Sequence, residues 1–275
     1  MKFCDSHFCS VRSLEVNMKI GFFDSGIGGL TVLSEALKRL PNHEYLYYAD
    51  TLHAPYGPKP KDEVRKYIFE AIEFLVREGA EIIVIACNTA TSIAVADLRQ
   101  KYSIPIIGME PAVKPAIEHV TENEKRVLVT ATPLTLREEK LKNLIDRLDH
   151  HHQTDLLPLP GLVRLAESYQ FSDEKVIPYL ETELESFDVK EYGAVVLGCT
   201  HFPLFIPQFE KIFSSSVRLI DGSSGTVSHL ENLIHKFQSK EGLTTSMTFY
   251  RSGEKLEKRQ DIEAYTKILK QLKAI

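Results

Sequence analysis

Short apolar segments alternate with amphipathic segments along most of this chain. Segments such as 81–87 (EIIVIAC) and 194–199 (AVVLGC) are almost entirely apolar, which is typical of strands that are buried on both faces. The segments between such strands carry apolar residues at helical spacing, as in 62–79 (DEVRKYIFEAIEFLVREG). Strands and helices that alternate in this way form a parallel sheet with helices on both faces. The sequence therefore predicts an α/β fold.

The length of the chain and a similarity between two of its strands indicate two domains. At 275 residues the chain is long for one hydrophobic core. The strands 81–87 and 194–199 resemble each other, and each ends in a cysteine, Cys87 or Cys199. This likeness is compatible with an old duplication. We therefore predict two similar parallel-sheet α/β domains in tandem.

Polar residues follow the predicted strands where each strand ends. The segments FFDSG, YYADT, IACNT, VTATP and LGCTH all show this arrangement. Ligands of open parallel sheets bind in the crevice beyond the carboxyl ends of the strands. These segments are therefore where we expect the functional site.

Charge and hydropathy exclude several classes of protein. The net charge is -5 and no basic run occurs, which argues against a nucleic-acid partner. No apolar run approaches the roughly 18 residues that span a bilayer, so we predict no membrane partner. Residues 1–17 lack the apolar middle of a signal peptide. We predict a flexible leader over 1–17 and a cytoplasmic protein.

The cysteines and histidines do not form a metal-binding pattern. The four cysteines include no C-x-x-C pair, and the one histidine cluster (DHHHQ, 149–153) consists of neighbours whose side chains point in different directions. Disulfides are rare in a reducing cytoplasm. We predict no metal site and interpret 149–153 as an exposed helix end.

The segment Asp24–Gly29 (DSGIGG) follows a predicted strand and precedes a predicted helix. A glycine-rich turn in this place suits a phosphate or a dinucleotide. However, Thr31 stands where G-x-G-x-x-G requires its last glycine. The alternative is a tight turn that needs glycine for backbone freedom. We predict no nucleotide cofactor, whereas the N–H groups of the turn can bind a carboxylate.

Each of the two strand-end cysteines is followed by hydrogen-bonding side chains: Asn88 and Thr89 in one case, Thr200 and His201 in the other. A lone cysteine at a strand end is usually a small buried apolar residue. A helix N-terminus or a histidine beside a thiol, however, lowers the pKa of that thiol. One thiolate can take a proton from carbon while a thiol on the opposite face returns one. The pair therefore predicts a reaction that inverts a stereocentre without net redox change.

Asp24 and His201 are candidate polar partners of the two thiols, one for each. The alternatives are a helix N-cap for Asp24 and a loop hydrogen bond for His201. The proline-rich segment 53–60 (HAPYGPKP) is either a rigid turn or a wall that offers Tyr56 and the Gly57 backbone to a small substrate. The spacing alone leaves both interpretations open.

The segments FFDSGIGGLTVL, YYADTLHAPYG, ACNTAT and LGCTHFPL, in this order and spacing, resemble the glutamate racemases of the cofactor-independent aspartate/glutamate racemase superfamily. The resemblance runs from about Met18 to at least Ile220. It implies two α/β domains with the active site in the cleft between them and no pyridoxal phosphate or metal. It also implies interconversion of L- and D-glutamate, a supply of D-glutamate for peptidoglycan, and a homodimer.

The resemblance further implies roles for individual residues. Cys87 and Cys199 correspond to the two acid/base thiols; Asp24 would assist Cys87, while His201 and Glu167 would assist Cys199. The positions that match substrate-binding residues are Asp24, Ser25, Tyr56, Gly57, Asn88, Thr89, Thr132, Thr135, Thr200 and His201. Because the family's chain returns to its first domain, the implied domains are 18–111 plus 221–275 and 112–220.

Three other functions are compatible with the same features. The first is a related activity on the same scaffold, such as an aspartate racemase, a hydantoin racemase or a two-cysteine maleate isomerase. The second is a ligand-binding module of two α/β lobes, which would require export. The third is a redox switch that forms a disulfide between Cys87 and Cys199.

Overall fold

The computed structural model describes residues 17–120, 125–235 and 244–273. The predicted flexible leader lies outside these ranges except for its last residue. The strands are β1 (Lys19–Asp24), β2 (Glu44–Ala49), β3 (Ile82–Ile85), β4 (Ile106–Gly108), β5 (Arg126–Ala131), β6 (Thr154–Pro158), β7 (Tyr192–Leu197), β8 (Arg218–Asp221), β9 (Ser246–Arg251) and β10 (Glu254–Lys255). The α-helices are α1 (Leu30–Arg39), α2 (Lys61–Arg77), α3 (Asn88–Lys101), α4 (Val113–Val120), α5 (Pro133–Arg137), α6 (Glu139–Leu148), α7 (Pro160–Glu167), α8 (Asp173–Leu184), α9 (Ile206–Ile212), α10 (Ser223–Ile234) and α11 (Arg259–Lys273).

The first sheet has the strand order β10-β9-β2-β1-β3-β4, and its strands are parallel except for β10. Successive residues of β1 point to opposite faces, as the pleat requires. Phe22 packs into a hydrophobic cluster with residues of α1, α10 and α11. Phe23 packs into a second cluster with residues of α2 and α3. This sheet is therefore buried on both faces, which explains its continuously apolar strands.

The second sheet has the order β6-β5-β7-β8 and is entirely parallel. On one face, Val127 and Val129 pack with residues of α4 and α6. On the other face, Leu128 and Val195 belong to the same large cluster that covers Phe22 of the first sheet. The two sheets are thus joined by one hydrophobic cluster.

The predicted α/β fold with two parallel sheets is confirmed. β3 and β7 are both inner strands, and the thiols of Cys87 and Cys199 follow their carboxyl ends directly. The domain bounds stay a prediction. β9 pairs with β2, so the chain returns to the first sheet after the second is complete.

The apolar spacing of residues 134–148 (LTLREEKLKNLIDRL) predicts one long helix, and this prediction is wrong, because the structure has two separate helices there, α5 and α6. The helical conformation is interrupted at Glu138, which has extended backbone angles (φ -67°, ψ 130°). Its carboxylate accepts a hydrogen bond from Lys61 Nζ at 2.7 Å, a contact between residues far apart in sequence. None of the helices described here is both apolar and long enough to cross a bilayer.

Candidate active site

A cavity of about 80 Å³ lies between the two sheets, beyond the carboxyl ends of β3 and β7. This volume is well below the roughly 300–1,000 Å³ of sites for drug-sized ligands, so the cavity suits a small molecule. Most of the predicted site residues line it: Ser25, Tyr56, Gly57, Cys87, Asn88, Thr89, Thr132, Cys199, Thr200 and His201. Asp24, Glu167 and Thr135 do not line this cavity, but their side chains hydrogen-bond to residues that do.

Cys87 is the N-cap residue of α3, and its sulfur accepts a hydrogen bond from the backbone N–H of Ala90 at 3.5 Å. The hydroxyl of Ser25 lies 3.7 Å from the same sulfur. Burial raises the pKa of Cys87 to about 12, and the negative charge of Asp24 adds to the rise. The helix N-terminus favours a thiolate, but here desolvation is the larger effect. Cys87 therefore holds its proton at neutral pH.

Cys199 lies beside a buried histidine that a carboxylate supports. His201 Nδ1 is 3.5 Å from the sulfur of Cys199, and His201 Nε2 is 2.6 Å from Glu167 Oε1. Burial alone would lower the pKa of His201, but contacts with Cys199 and Glu167 raise it well above its usual range. A protonated imidazole donates from both nitrogens, one bond to each neighbour. Its positive charge then stabilises negative charge on the Cys199 sulfur.

Asp24 belongs to the glycine-rich turn and is fully buried. Its Oδ1 accepts from the backbone N–H of Gly26 at 2.9 Å, and its Oδ2 accepts from the Thr200 hydroxyl at 3.0 Å. Burial raises the pKa of Asp24 to about 6, although the charge of His201 and these hydrogen bonds act in the opposite direction. Asp24 influences Cys87 through charge, whereas the groups that hydrogen-bond with that sulfur are the Ser25 hydroxyl and the Ala90 N–H.

The glycines of this turn allow it to approach the second sheet closely. A Cβ on Gly28 would lie 2.5 Å from Thr200 Oγ1 and 2.6 Å from His201 Nδ1. The backbone N–H of Ile27 donates to Glu167 Oε1 at 2.8 Å. The turn thus carries Ser25, which lies beside Cys87, and contacts the partners of Cys199; its glycines are needed for this close packing.

Two further groups hold the walls of the cavity. Asp50 accepts hydrogen bonds from Tyr56 at 2.6 Å, from His53 at 2.8 Å and from Ser252 at 3.0 Å, which fixes the loop that carries Tyr56 and Gly57. The hydroxyls of Thr89, Thr132 and Thr135 lie 3.0 Å from one another and join α3 to α5.

The side chain of Asn88 has unused hydrogen-bonding capacity at the cavity. Neither its Nδ2 nor its Oδ1 has a partner among the described residues, although Asn88 is only 3% exposed. An unsatisfied buried amide costs free energy unless a ligand binds to it. Asn88 is therefore free to bind a polar ligand.

This geometry is accompanied by similarity over most of the chain. The sequence profile of the Asp/Glu/hydantoin racemases matches residues 30–230. The chain belongs to that family. Glutamate racemase 2 of Bacillus subtilis (strain 168) is 54% identical over 251 residues, which are 91% of this chain and 95% of that protein. The glutamate racemase of Halothermothrix orenii is 53% identical over 257 residues, 93% of this chain and 100% of that protein.

Solved structures of the family share the fold. The glutamate racemase of Francisella tularensis, solved in complex with D-glutamate, superposes with a TM-score of 0.77 at 28% identity. The match covers 92% of this chain and 94% of that one. The two proteins thus share their overall fold.

Sequence patterns alone miss several residues around the cavity between the two sheets. In the sequence Asp50 is only one of several polar residues at the end of a strand. In the structure it accepts a hydrogen bond from Tyr56 and so fixes the loop that carries Tyr56. Sequence patterns place Tyr47 in an apolar strand, yet its hydroxyl donates to the Gly26 carbonyl at 2.7 Å. Val163 and Arg164 line the cavity from α7, a helix that the periodicity does not predict. For this segment the sequence analysis assigns a role to Glu167 alone, and that role comes from the family resemblance.

Replacing Glu167 tests the charge on His201. We expect Glu167→Gln to lower the pKa of His201, because glutamine keeps the shape but removes the negative charge from the 2.6 Å contact. NMR titration of the His201 ring in the two proteins measures this change. Glu139→Gln, an exposed position on α6, is the matched control. An unchanged His201 titration in Glu167→Gln would show that Glu167 does not hold the charge.

Proposed function

We propose that this chain is a glutamate racemase that moves the Cα proton of glutamate between Cys87 and Cys199. The observation that carries the proposal is the pair of buried free thiols lining one small cavity, each with a different polar partner. Two relatives with more than half of their aligned residues identical, both named glutamate racemases, support glutamate as the substrate.

In each inversion one cysteine removes the Cα proton and the other cysteine donates a proton. For one enantiomer, the Cys199 thiolate takes the Cα proton: a C–H bond breaks, an S–H bond forms, and an electron pair remains on Cα. The Cys87 thiol then donates its proton to that pair from the other face, which leaves Cys87 as a thiolate. The other enantiomer follows the same steps in reverse. The proton that Cys87 retains and the positive charge of His201 beside Cys199 support this division.

The carbanion intermediate needs stabilisation, because the Cα–H of an amino acid is a weak acid. Neutral donors around the cavity can bind the α-carboxylate as negative charge develops on it. Asn88 has an unused amide, and Ser25 contributes a hydroxyl, whereas the hydroxyl of Thr200 already donates to Asp24. The small, buried cavity also limits water around the carbanion.

The biological setting belongs to the same proposal. A glutamate racemase would supply D-glutamate for peptidoglycan, act in the cytoplasm, and need neither a cofactor nor a metal. The family resemblance also supports a homodimer. Size-exclusion chromatography with light scattering would test the oligomeric state.

The choice of glutamate over aspartate has a direct test. We expect the protein to convert L-glutamate to D-glutamate at a rate at least about 100-fold above that for L-aspartate, since binding a shorter acid leaves buried polar groups without partners. Chiral chromatography of both reactions, followed in D₂O, measures conversion and exchange together. Exchange on aspartate without exchange on glutamate would overturn the choice of substrate.

A further inference from the structure

Arg164 lies where the small cavity that contains the two thiols meets a larger one. This second cavity, which we call the outer cavity, has a volume of about 540 Å³. Pro55, Val163 and Arg164 line both cavities, so the two share a wall. Among the described residues that line the thiol cavity, Arg164 is the only lysine or arginine. Its side chain belongs to α7 and is exposed.

The charge of Arg164 is not neutralised nearby. Among the residues that the structure describes, Arg164 has no ion-pair partner. The other arginine of the outer cavity, Arg251, is paired with Asp261 at 3.2 Å. The neighbouring acid, Glu167, is paired with His201. A positive charge without a counterion therefore faces both cavities.

This position matters because the protein as a whole is acidic. With a net charge of -5, the average field around the chain repels an anion. An anionic amino acid that approaches the thiols needs a local region of opposite sign. Clefts that carry such charge raise the rate at which charged ligands associate, and salt weakens the effect.

We propose that the outer cavity is the entrance for substrate and that Arg164 attracts anionic amino acids into it. The proposal rests on the proposed function for its substrate, an amino acid with two carboxylates. Arg164 affects the association of substrate rather than the proton transfer, because Arg164 is exposed whereas both thiols are buried.

Kinetics at varied ionic strength test this role. We expect Arg164→Gln to lower kcat/KM for glutamate about three- to tenfold at about 0.02 M salt and to leave kcat within about twofold. At about 0.5 M salt the two proteins converge, because the charge is screened. Arg164→Lys keeps most of the wild-type value. Arg259→Gln, at a position whose side chain is 91% exposed, is the control and follows the wild type.

A second measurement does not depend on which substrate is turned over. Iodoacetate is anionic and iodoacetamide is neutral, and both alkylate thiols. We expect Arg164→Gln to lower the ratio of their rates at Cys87 and Cys199 by at least about twofold, as read from peptide masses. If the wild type does not racemise glutamate but this ratio falls, the proposed function fails and the entrance stands. If the ratio and the salt dependence both stay at wild-type values, the role of Arg164 is wrong.

Discussion

Replacing either cavity thiol is expected to abolish racemisation while preserving proton exchange on one enantiomer. In Cys87→Ser or Cys199→Ser one of the two acid/base groups is gone, because a serine hydroxyl is a far weaker acid than a thiol. Losing a general acid or base costs about 10²- to 10⁴-fold in rate, so we expect kcat for racemisation to fall by at least that factor. Chiral chromatography measures the loss.

The remaining thiol can still take the Cα proton from the face that it contacts and return a solvent proton to that face. In D₂O each single variant should therefore place deuterium into one enantiomer with retention, and the two variants should select opposite enantiomers. Deuterium exchange distinguishes the two variants, whereas racemisation rates in the two directions do not. The equilibrium constant between two enantiomers is one. The values of kcat/KM in the two directions must then be equal in every variant.

The control for this experiment is the double variant Cys4→Ser, Cys9→Ser, which keeps both cavity thiols. We expect it to racemise at the wild-type rate. If a single variant at 87 or 199 keeps racemisation within about tenfold of wild type, the replaced thiol is not an acid/base group. If both variants label the same enantiomer, the thiols do not act on opposite faces.

Asp24→Asn is expected to make the protein more stable and less active. Burial raises the pKa of Asp24 to about 6, whereas an unfolded chain has an aspartate pKa of about 3.9. Between these values the folded state holds more protons than the unfolded state, so stability falls as pH rises from about 4 to about 6. Above that window the buried charge costs about 3 kcal/mol, because a tenfold change in proton affinity corresponds to about 1.4 kcal/mol.

Asparagine stays neutral at every pH and can still accept from the Gly26 N–H. We therefore expect a gain of about 3 kcal/mol in unfolding free energy at pH 7.5 that disappears below about pH 4. Urea denaturation at a series of pH values measures it, with the exposed Asp146→Asn as control. We expect kcat/KM to fall about 100-fold, because the negative charge beside Cys87 and Thr200 is lost. A variant that is no more stable at pH 7.5 than at pH 4, relative to wild type, would contradict the raised pKa.

The parts of the site that sequence could predict are those that local pattern specifies. Cys87 and Cys199 follow apolar strands directly, so their place at a sheet edge follows from the strand assignment. His201 is two residues from Cys199, which makes their contact a local one. The alternation of strands and helices determined the fold class for the same reason.

The parts that sequence could not predict depend on contacts between distant residues. The break between α5 and α6 occurs where Glu138 pairs with Lys61, 77 positions earlier in the chain. The pairing of β9 with β2 joins segments about 200 residues apart. Tyr47 has the pattern of a core residue, and only the folded structure brings its hydroxyl to the turn of Asp24. Arg164 looks like an ordinary surface residue until α7 is placed against the cavity.

The most direct test of proton transfer between two thiols is the early reaction of wild-type protein with L-glutamate in D₂O. If Cys199 and Cys87 act on opposite faces, the first D-glutamate formed carries deuterium at Cα, because its proton comes from a thiol that has exchanged with solvent. The unreacted L-glutamate at that time remains almost entirely protiated. Mass spectrometry of the separated enantiomers, at about 10% conversion, reads both quantities. D-glutamate that retains the original proton would mean that a single group moves it between faces, and would contradict the two-thiol mechanism.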